Sequence, residues 1–418
     1  MKKLSLILAL LALATVGMAQ QSNKSKSKDR YREKDATVLP TDANEASHLN
    51  ELRILAEAEL SSVVSGLSSA IQQQQVQPQV ASRYFAYALL AGHETTARFQ
   101  AKVSSLQGAL RGMPLSHSFA RADSVFHPFA ALCAVLETGR GFFPHSAVLT
   151  TKQVALEEAF RKKGLGEQLL QSSKAASADI ARSILTYAAT DGFLQLSAGQ
   201  PGALRPFFLE TVKPFALPAS VQPDMSEGSP YLSRLQTVYD SGRNLAPEQR
   251  DIADFWDTRE NSLSGHWLAI CGTACSQLNV PFNQAMRTHA VVALAMADAY
   301  VVCTNEKTVQ TREQPQAAIN RSVDASWRPF LTSSSDCGDH GIVSAAAAEV
   351  LTKLVGDRVS VADTNAGRTR RHAAFREAAA EAAASRLYGG LQFRDVLDAG
   401  LDSGRRLGFF VVQRLPVE

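Results

Sequence analysis

The stretch from Ala290 to Cys303 constrains this chain more than any other. It is apolar on every side except at Asp298, and it holds neither Gly nor Pro. As a helix it has no face to offer water, so it must be jacketed by other helices. Its length would also allow a membrane span, but Arg287 and His289 just before it and Asp298 within it favour a buried central helix of a bundle. The rest of the chain agrees. From residue 46 onward Ala and Leu dominate and apolar residues recur at spacings of three and four. Helices are expected over 46–74, 79–105, 150–164 and 166–199. The Pro- and Gly-rich stretch 200–232 reads as an irregular connection, and helices resume near 246, where Pro247 and Glu248 suit a first turn. The expected class is all-α. With 418 residues, 45% of them hydrophobic, a large core is available.

A net charge of +3 is too close to balance to imply a nucleic-acid partner. Residues 1–19 have the form of a secretory signal: Lys2 and Lys3, an apolar run from Leu4 to Val16, then Gly17-Met18-Ala19. Export to the periplasm or beyond the cell is expected, with no membrane span once the signal is removed. Residues 20–45 are polar and basic and read as a disordered leader. An N-terminal helical region over 46–240 and a C-terminal bundle over 241–418 are then expected. The five cysteines are too sparse for a disulfide framework. Cys271 and Cys275, four apart, would stack on one helix face as small core residues, with no His or Cys at metal-ligand spacing nearby in sequence. No metal ion is expected.

Two C-terminal stretches can carry chemistry. Ser335-Asp336-Cys337-Gly338-Asp339-His340-Gly341 precedes an Ala-rich amphipathic segment, Ser344 to Leu354. A helix starting near Gly341 aims its first N–H groups at whatever lies before it, and that favours an anion. A second helix over 373–388 is stopped by Gly389-Gly390 and carries Arg386 in its last turn. Gln392 follows across the glycine bend, so both side chains could face one pocket. Lys307 follows the most apolar helix and could reach in from its end. Taken singly, such residues are far more often solvated or capping groups than ligands. Their order carries the argument.

That order resembles the vanadium-dependent haloperoxidase and type 2 phosphatidic acid phosphatase (PAP2) superfamily, in its exported bacterial branch. The family pattern is K-x6-R-P, then P-S-G-H, then S-R-x5-H. Here Lys307 is followed by six residues and Gln314-Pro315, then come Cys337-Gly338-Asp339-His340, and last Ser385-Arg386, five residues and Gln392. Flanking stretches are similar too: Ala81-Ser82-Arg83 with Tyr87, Gly265-His266-Trp267, Ala297-Asp298-Ala299, Trp327-Arg328-Pro329, and Ala399-Gly400-Leu401 with Gly404-Arg405. Two near-matches are set aside. Ser264-Gly265-His266 precedes Lys307, against family order, and Arg328-Pro329 lies too far beyond it. Both read as structural or cleft elements.

The resemblance implies a helical bundle in which Lys307 and Arg386 clamp a phosphate or vanadate and His340 moves protons. It also implies losses. Gln314 replaces a charged Arg fork by an amide, and Gly338 replaces a Ser hydroxyl. Asp339 replaces Gly and puts a carboxylate beside the anion, where a like-charge contact at about 4 Å costs ~4 kcal/mol at an effective dielectric of ~20. Gln392 replaces the His that ligates vanadium or attacks phosphorus, and a carboxamide does neither well. Vanadate is the cofactor implied by the family, and Gln392 argues against it here. A small oxyanion or phosphate ester is the implied ligand. Two readings follow: a degenerate, catalytically impaired or inactive descendant, or an active phosphatase or haloperoxidase with a rearranged site using Asp339 and His340.

Overall fold

The computed structural model describes residues 43–114, 125–198, 204–210, 213–215, 223–259, 261–304, 313–332 and 339–417. The expected signal, residues 20–42 of the expected leader, Lys307 and Gly338 lie outside these residues, and the last leader residues, 43–45, are instead the start of the first helix. Six helices come first: α1 (Ala43–Gln73), α2 (Pro78–Phe99), α3 (His127–Phe142), α4 (Ala147–Lys162), α5 (Glu167–Ala188) and the short α6 (Phe193–Ser197). Then follow α7 (Pro230–Arg243), α8 (Pro247–Phe255), α9 (Leu263–Gln277), α10 (Phe282–Thr304), α11 (Pro315–Ser322) and α12 (Asp339–Leu354). A two-stranded ribbon, β1 (Val361–Asn365) and β2 (Arg368–His372), precedes α13 (Phe375–Tyr388) and α14 (Arg394–Gln413).

The all-round apolar stretch is α10, and it is the axis of the fold. Every residue from Thr288 to Cys303 is buried. Helices α2 and α12 pack along it, with α9 and α1 alongside. It is long and apolar enough to cross a membrane, but 94% of its most apolar window is buried inside the protein, as a core helix requires. Helix α1 passes the same length and composition test with 44% of its window buried.

Helices α12 and α14 make the closest pairing. Gly400, Gly404 and Gly408, four apart on α14, form a stripe that lets α14 lie on the backbone of α12. A Cβ at Gly404 would collide with the Ile342 carbonyl oxygen, and one at Gly408 would fall 2.7 Å from that of Ala346. Gly341 answers from α12, where a Cβ would sit 2.9 Å from the Leu397 oxygen. The start of α12, which carries Asp339 and His340, is thereby fixed in depth by α14.

The structure departs from the sequence expectation in four places, each with a local cause. The helix expected over 79–105 ends at Phe99. The segment 166–199 is two helices, because Asp191 turns inward and Gly192 takes φ +85°, a left-handed conformation suited to glycine. The stretch 200–232 conceals the start of α7, where the Ser229 hydroxyl caps the Leu232 N–H at 3.1 Å and Pro230 fills the first turn. The ribbon β1–β2 was not expected. Its two-residue turn places Ala366 at φ +50° and Gly367 at φ +74°, as a tight hairpin turn demands. Arg370 of β2 binds the ribbon to α8 and α13 through Glu248, Asp251 and Glu381. Cys303 is disulfide-bonded, whereas Cys133, Cys271 and Cys275 are free thiols.

Several residues that carried the family resemblance turn out to be a buried scaffold. Arg83 pairs with Asp191 at 3.1 Å, donates to the Arg205 carbonyl at 2.5 Å and lies over the Phe207 ring. Tyr87 donates to the same Asp191. Asp298 accepts the N–H groups of Phe207 at 2.5 Å and Phe208 at 2.8 Å. Together they satisfy the polar backbone of an irregular segment held against α2 and α10.

Buried ionisable groups give this core a pH dependence. Burial pushes His93 and His127 down from 6.5 to about 4. Unfolded histidines bind protons near 6.5, so between those values the unfolded chain holds more protons and stability falls as pH falls. Asp298 acts the other way. Burial raises its carboxyl from 3.8 to about 6, so its contribution is full below 3.8 and is lost as pH rises through 6. Burial lowers His289 to about 4 as well, so three histidines oppose one carboxylate, and each shift is worth about 3 kcal/mol. We expect the thermal midpoint to drop steadily from pH 6.5 to pH 4.5. Paired His93→Gln and His127→Gln should flatten the fall, and Asp298→Asn should steepen it. A midpoint that held or rose on acidification would contradict this balance.

Candidate functional site

The site grows from two helix ends. Helix α12 begins at Asp339. The Asp339 carboxylate accepts the His340 backbone N–H at 2.9 Å, and its Oδ1 also lies 3.0 Å from His340 Nδ1. His340 Nε2 lies 3.2 Å from the carbonyl oxygen of Trp256, just past α8. That carbonyl can only accept, so Nε2 carries a hydrogen. Nδ1 faces the Asp339 carboxylate, so the ring lies between two acceptors. Burial, followed by the Arg386 charge, holds the His340 pKa below its ordinary value, while the Asp339 charge and hydrogen bond act the other way.

Helix α13 ends in the second half of the site. The Leu391 N–H bonds to the Arg386 carbonyl at 2.9 Å and the Gly390 N–H to that of Leu387 at 3.0 Å, with Gly390 at φ +77°. This is a Schellman cap on the expected glycines. The Gln392 N–H reaches the same Arg386 oxygen at 3.2 Å. One cap therefore fixes both Arg386 and Gln392. Pro329 and Trp327 wall the turn, each 3.0 Å from where a Gly390 Cβ would stand.

Arg386 is fully buried, and burial lowers its pKa while Asp339, Asp257 and Tyr300 act on its charge. Asp257 follows Trp256. Tyr300 comes from α10, its hydroxyl beside Ser264 of α9 but without a well-formed hydrogen bond, and burial raises its pKa strongly. The structure thus brings Asp339, His340 and Arg386 together. Gln392 is buried on the same cap. Gln314 differs: it is exposed, at the N-cap of α11. Lys307 and Gly338 lie outside the described residues.

Sequence reasoning missed Asp257 and Tyr300, for which no motif gave a signal. Ser264-Gly265-His266, a structural or cleft element by its sequence order, holds His266 in a buried contact. Its Nε2 bonds to Asp363 of β1 at 2.8 Å and its ring stacks on Trp256 at 4.4 Å. His266 thus supports the tryptophan whose carbonyl receives His340.

Residues 287–416 match the family model described as the VCPO second helical-bundle domain. Among solved structures, the chain is similar to the first bacterial vanadium-dependent iodoperoxidase, with TM-score 0.77 and 27% identity over 86% of this chain and 97% of that one. It also resembles the holo and apo forms of a bacterial vanadium-dependent chloroperoxidase. Both have TM-score 0.57, at 15% and 14% identity, over 81% of this chain and 93% and 95% of theirs. No curated protein matches it by sequence. The fold and the haloperoxidase-type helical bundle define the class. The family match and the iodoperoxidase likeness support a place in the vanadium haloperoxidase/PAP2 superfamily.

Proposed function

We propose that this is an exported member of the superfamily whose oxyanion site is degenerate, and that it is impaired or inactive in the family's chemistry. One observation carries the proposal. The Asp339 carboxylate already occupies the start of α12, taking its first N–H, and acts on the Arg386 guanidinium. A helix N-terminus with a buried arginine is what would hold an oxyanion. Here the chain supplies its own anion, and Asp257 adds a second carboxylate beside the same arginine. Gln392, where the family pattern has its nucleophilic or vanadium-ligating His, leaves no covalent partner. Vanadate is the family's cofactor. Of the residues that would hold it, Lys307 and Arg386 fit its charge, whereas Asp339 and Gln392 do not. These two retained cations leave a small oxyanion or phosphate ester as the ligand class. The apolar N-terminal run after Lys2 and Lys3 and the disulfide at Cys303 support an oxidising, exported setting.

A second reading has one specific observation behind it. Asp339 Oδ1 and His340 Nδ1 lie 3.0 Å apart, the geometry of an acid–base or nucleophile–base pair. The test is turnover by the purified mature chain, with a chromogenic phosphate ester and with bromide, peroxide and added vanadate. We expect neither activity above a heat-inactivated control. Turnover abolished by His340→Ala or Arg386→Ala would overturn the inactive reading and favour the second.

A further inference from the structure

Helix α9 carries two buried free thiols. Cys271 and Cys275 stack one turn apart, as their spacing predicts. The structure adds what sequence spacing could not show: His289 of α10 faces them. A ring nitrogen of His289 and the two sulfurs lie within 4.8 Å of one another, and all three residues are buried. The ring is held by Nδ1, 2.8 Å from the Ala285 carbonyl. That bond needs Nδ1–H, so the lone pair of neutral histidine is on Nε2. Nε2 has no hydrogen-bond partner, although His289 is only 1% exposed. An unpartnered buried acceptor costs about 1–3 kcal/mol, which packing alone gives no reason to tolerate. Burial also holds this imidazole neutral, with its pKa down at about 4.

We propose that Cys271, Cys275 and His289 form a binding site for a monovalent copper ion. Two sulfurs and an imidazole nitrogen are soft donors, the set that selects Cu(I) and zinc over magnesium, calcium or manganese. The backbone bond at Nδ1 is the outer-shell contact that orients a ligating histidine. Metal–sulfur bonds of about 2.3 Å and metal–nitrogen bonds of about 2.1 Å put ligand atoms roughly 4 Å apart in a trigonal site. The three atoms therefore need to close by less than about 1 Å. Among the described residues, no fourth His, Cys, Asp or Glu joins the group, which suits the low coordination of Cu(I) better than the four ligands of zinc. On binding, the two thiols release their protons to solvent and the copper keeps its oxidation state.

A path leads in. A groove of about 450 Å³ runs between α1 and α9, lined among others by Ser61, Ser65, Ser68, Gly265 and Gly272. Gly272 is its thin wall: a Cβ there would stand 3.6 Å from His289 Nε2 and 2.7 Å from Ser61 Oγ. The absent side chain leaves the ligand nitrogen just behind the groove. This site is independent of the oxyanion reading, because α9 and α10 meet here through residues that take no part in it.

The test is titration of the full chain with Cu(I) under anaerobic reductant, in competition with a chromogenic Cu(I) chelator. We expect one ion per chain, a sulfur-to-copper charge-transfer band in the near ultraviolet, and protection of two thiols from maleimide. Cys133, buried elsewhere, should react equally with and without copper. Cys271→Ser with Cys275→Ser should lose the ion and the band, and His289→Gln should weaken binding at least about tenfold. Circular dichroism checks that each variant is folded, and thiol protection in the unaltered protein stands whether or not they are. Copper bound no better by the natural chain than by the double serine variant would overturn the proposal. So would equal thiol reactivity with and without copper, or zinc held in preference to Cu(I).

Discussion

Gly404→Val should yield no stably folded protein. A Cβ at Gly404 meets the Ile342 carbonyl oxygen, the Ala345 Cβ at 2.7 Å and the Ala346 nitrogen at 3.0 Å. Two of these are backbone atoms of a buried helix, so no side-chain rotation can relieve the clash. The helices must part, and α14 would lose its seat along the whole of α12. Overpacking a core by a few methylenes costs typically 1–3 kcal/mol where side chains can adjust. Here backbone must move along an entire helix pair, and an effect above ~5 kcal/mol is expected, comparable to the whole stability of many domains. Gly404→Ala should be milder but still lower the thermal midpoint by many degrees. Gly166 is the control: it is the N-cap of α5, with nothing within 4 Å of an added Cβ. Gly166→Ser should be neutral or slightly stabilising, since serine caps better than glycine. Thermal unfolding of the three variants decides the matter, and a Gly404→Val protein melting at the natural temperature would refute this account of the α12–α14 contact.

That contact also shows what could be read in advance. Gly400, Gly404 and Gly408 stand four apart in the sequence, so one face of α14 was visibly bare. Which helix would fill it was not visible, because α12 is paired to it only by the fold. The all-round apolar Ala290–Cys303 segment read correctly as a core helix, since a helix without a polar face has one place to go. Gly389-Gly390 read correctly as the stop of α13, because the left-handed cap is a local property of those residues. The site was legible only where it is local: Asp339 beside His340, and Arg386 before the glycine cap that carries Gln392. Asp257 and Tyr300 reach Arg386 from α8's end and from α10, and no spacing links them to it. His289 is hidden from Cys271 and Cys275 for the same reason. The ribbon was missed because Asn365-Ala366-Gly367 is a turn signal too short to outweigh the surrounding helical pattern.

Asp339→Gly should create an oxyanion-dependent protein from one that needs no anion. Arg386 is fully buried, and the Asp339 charge acts on it electrostatically. Removing a carboxylate whose charge acts on a buried arginine leaves that arginine less compensated, at a cost below the roughly 3–5 kcal/mol typical of a broken direct ion pair. Asp257 softens the loss, so a drop of about 2–4 kcal/mol in stability is expected in oxyanion-free buffer. At the same time the start of α12 is emptied for an external anion, and a like-charge repulsion of ~4 kcal/mol at about 4 Å is lifted. That corresponds to roughly a thousandfold in affinity. Vanadate or phosphate should then restore the lost stability in proportion to the logarithm of its concentration, while the natural chain should show no such dependence. Adding Gln392→His supplies an imidazole for vanadium, and adding Gln314→Arg tests whether that exposed position can reach the pocket at all. If Asp339 is the internal anion, the single variant gains most of the affinity and Gln392→His makes the remaining gain specific to vanadate over phosphate. Melting curves across a vanadate series, with calorimetric titration of the same variants, separate these contributions. A single Asp339→Gly protein that keeps its stability without oxyanion and gains nothing when one is added would mean that Asp339 does not stand in for the anion, and that the charge of Arg386 is answered elsewhere.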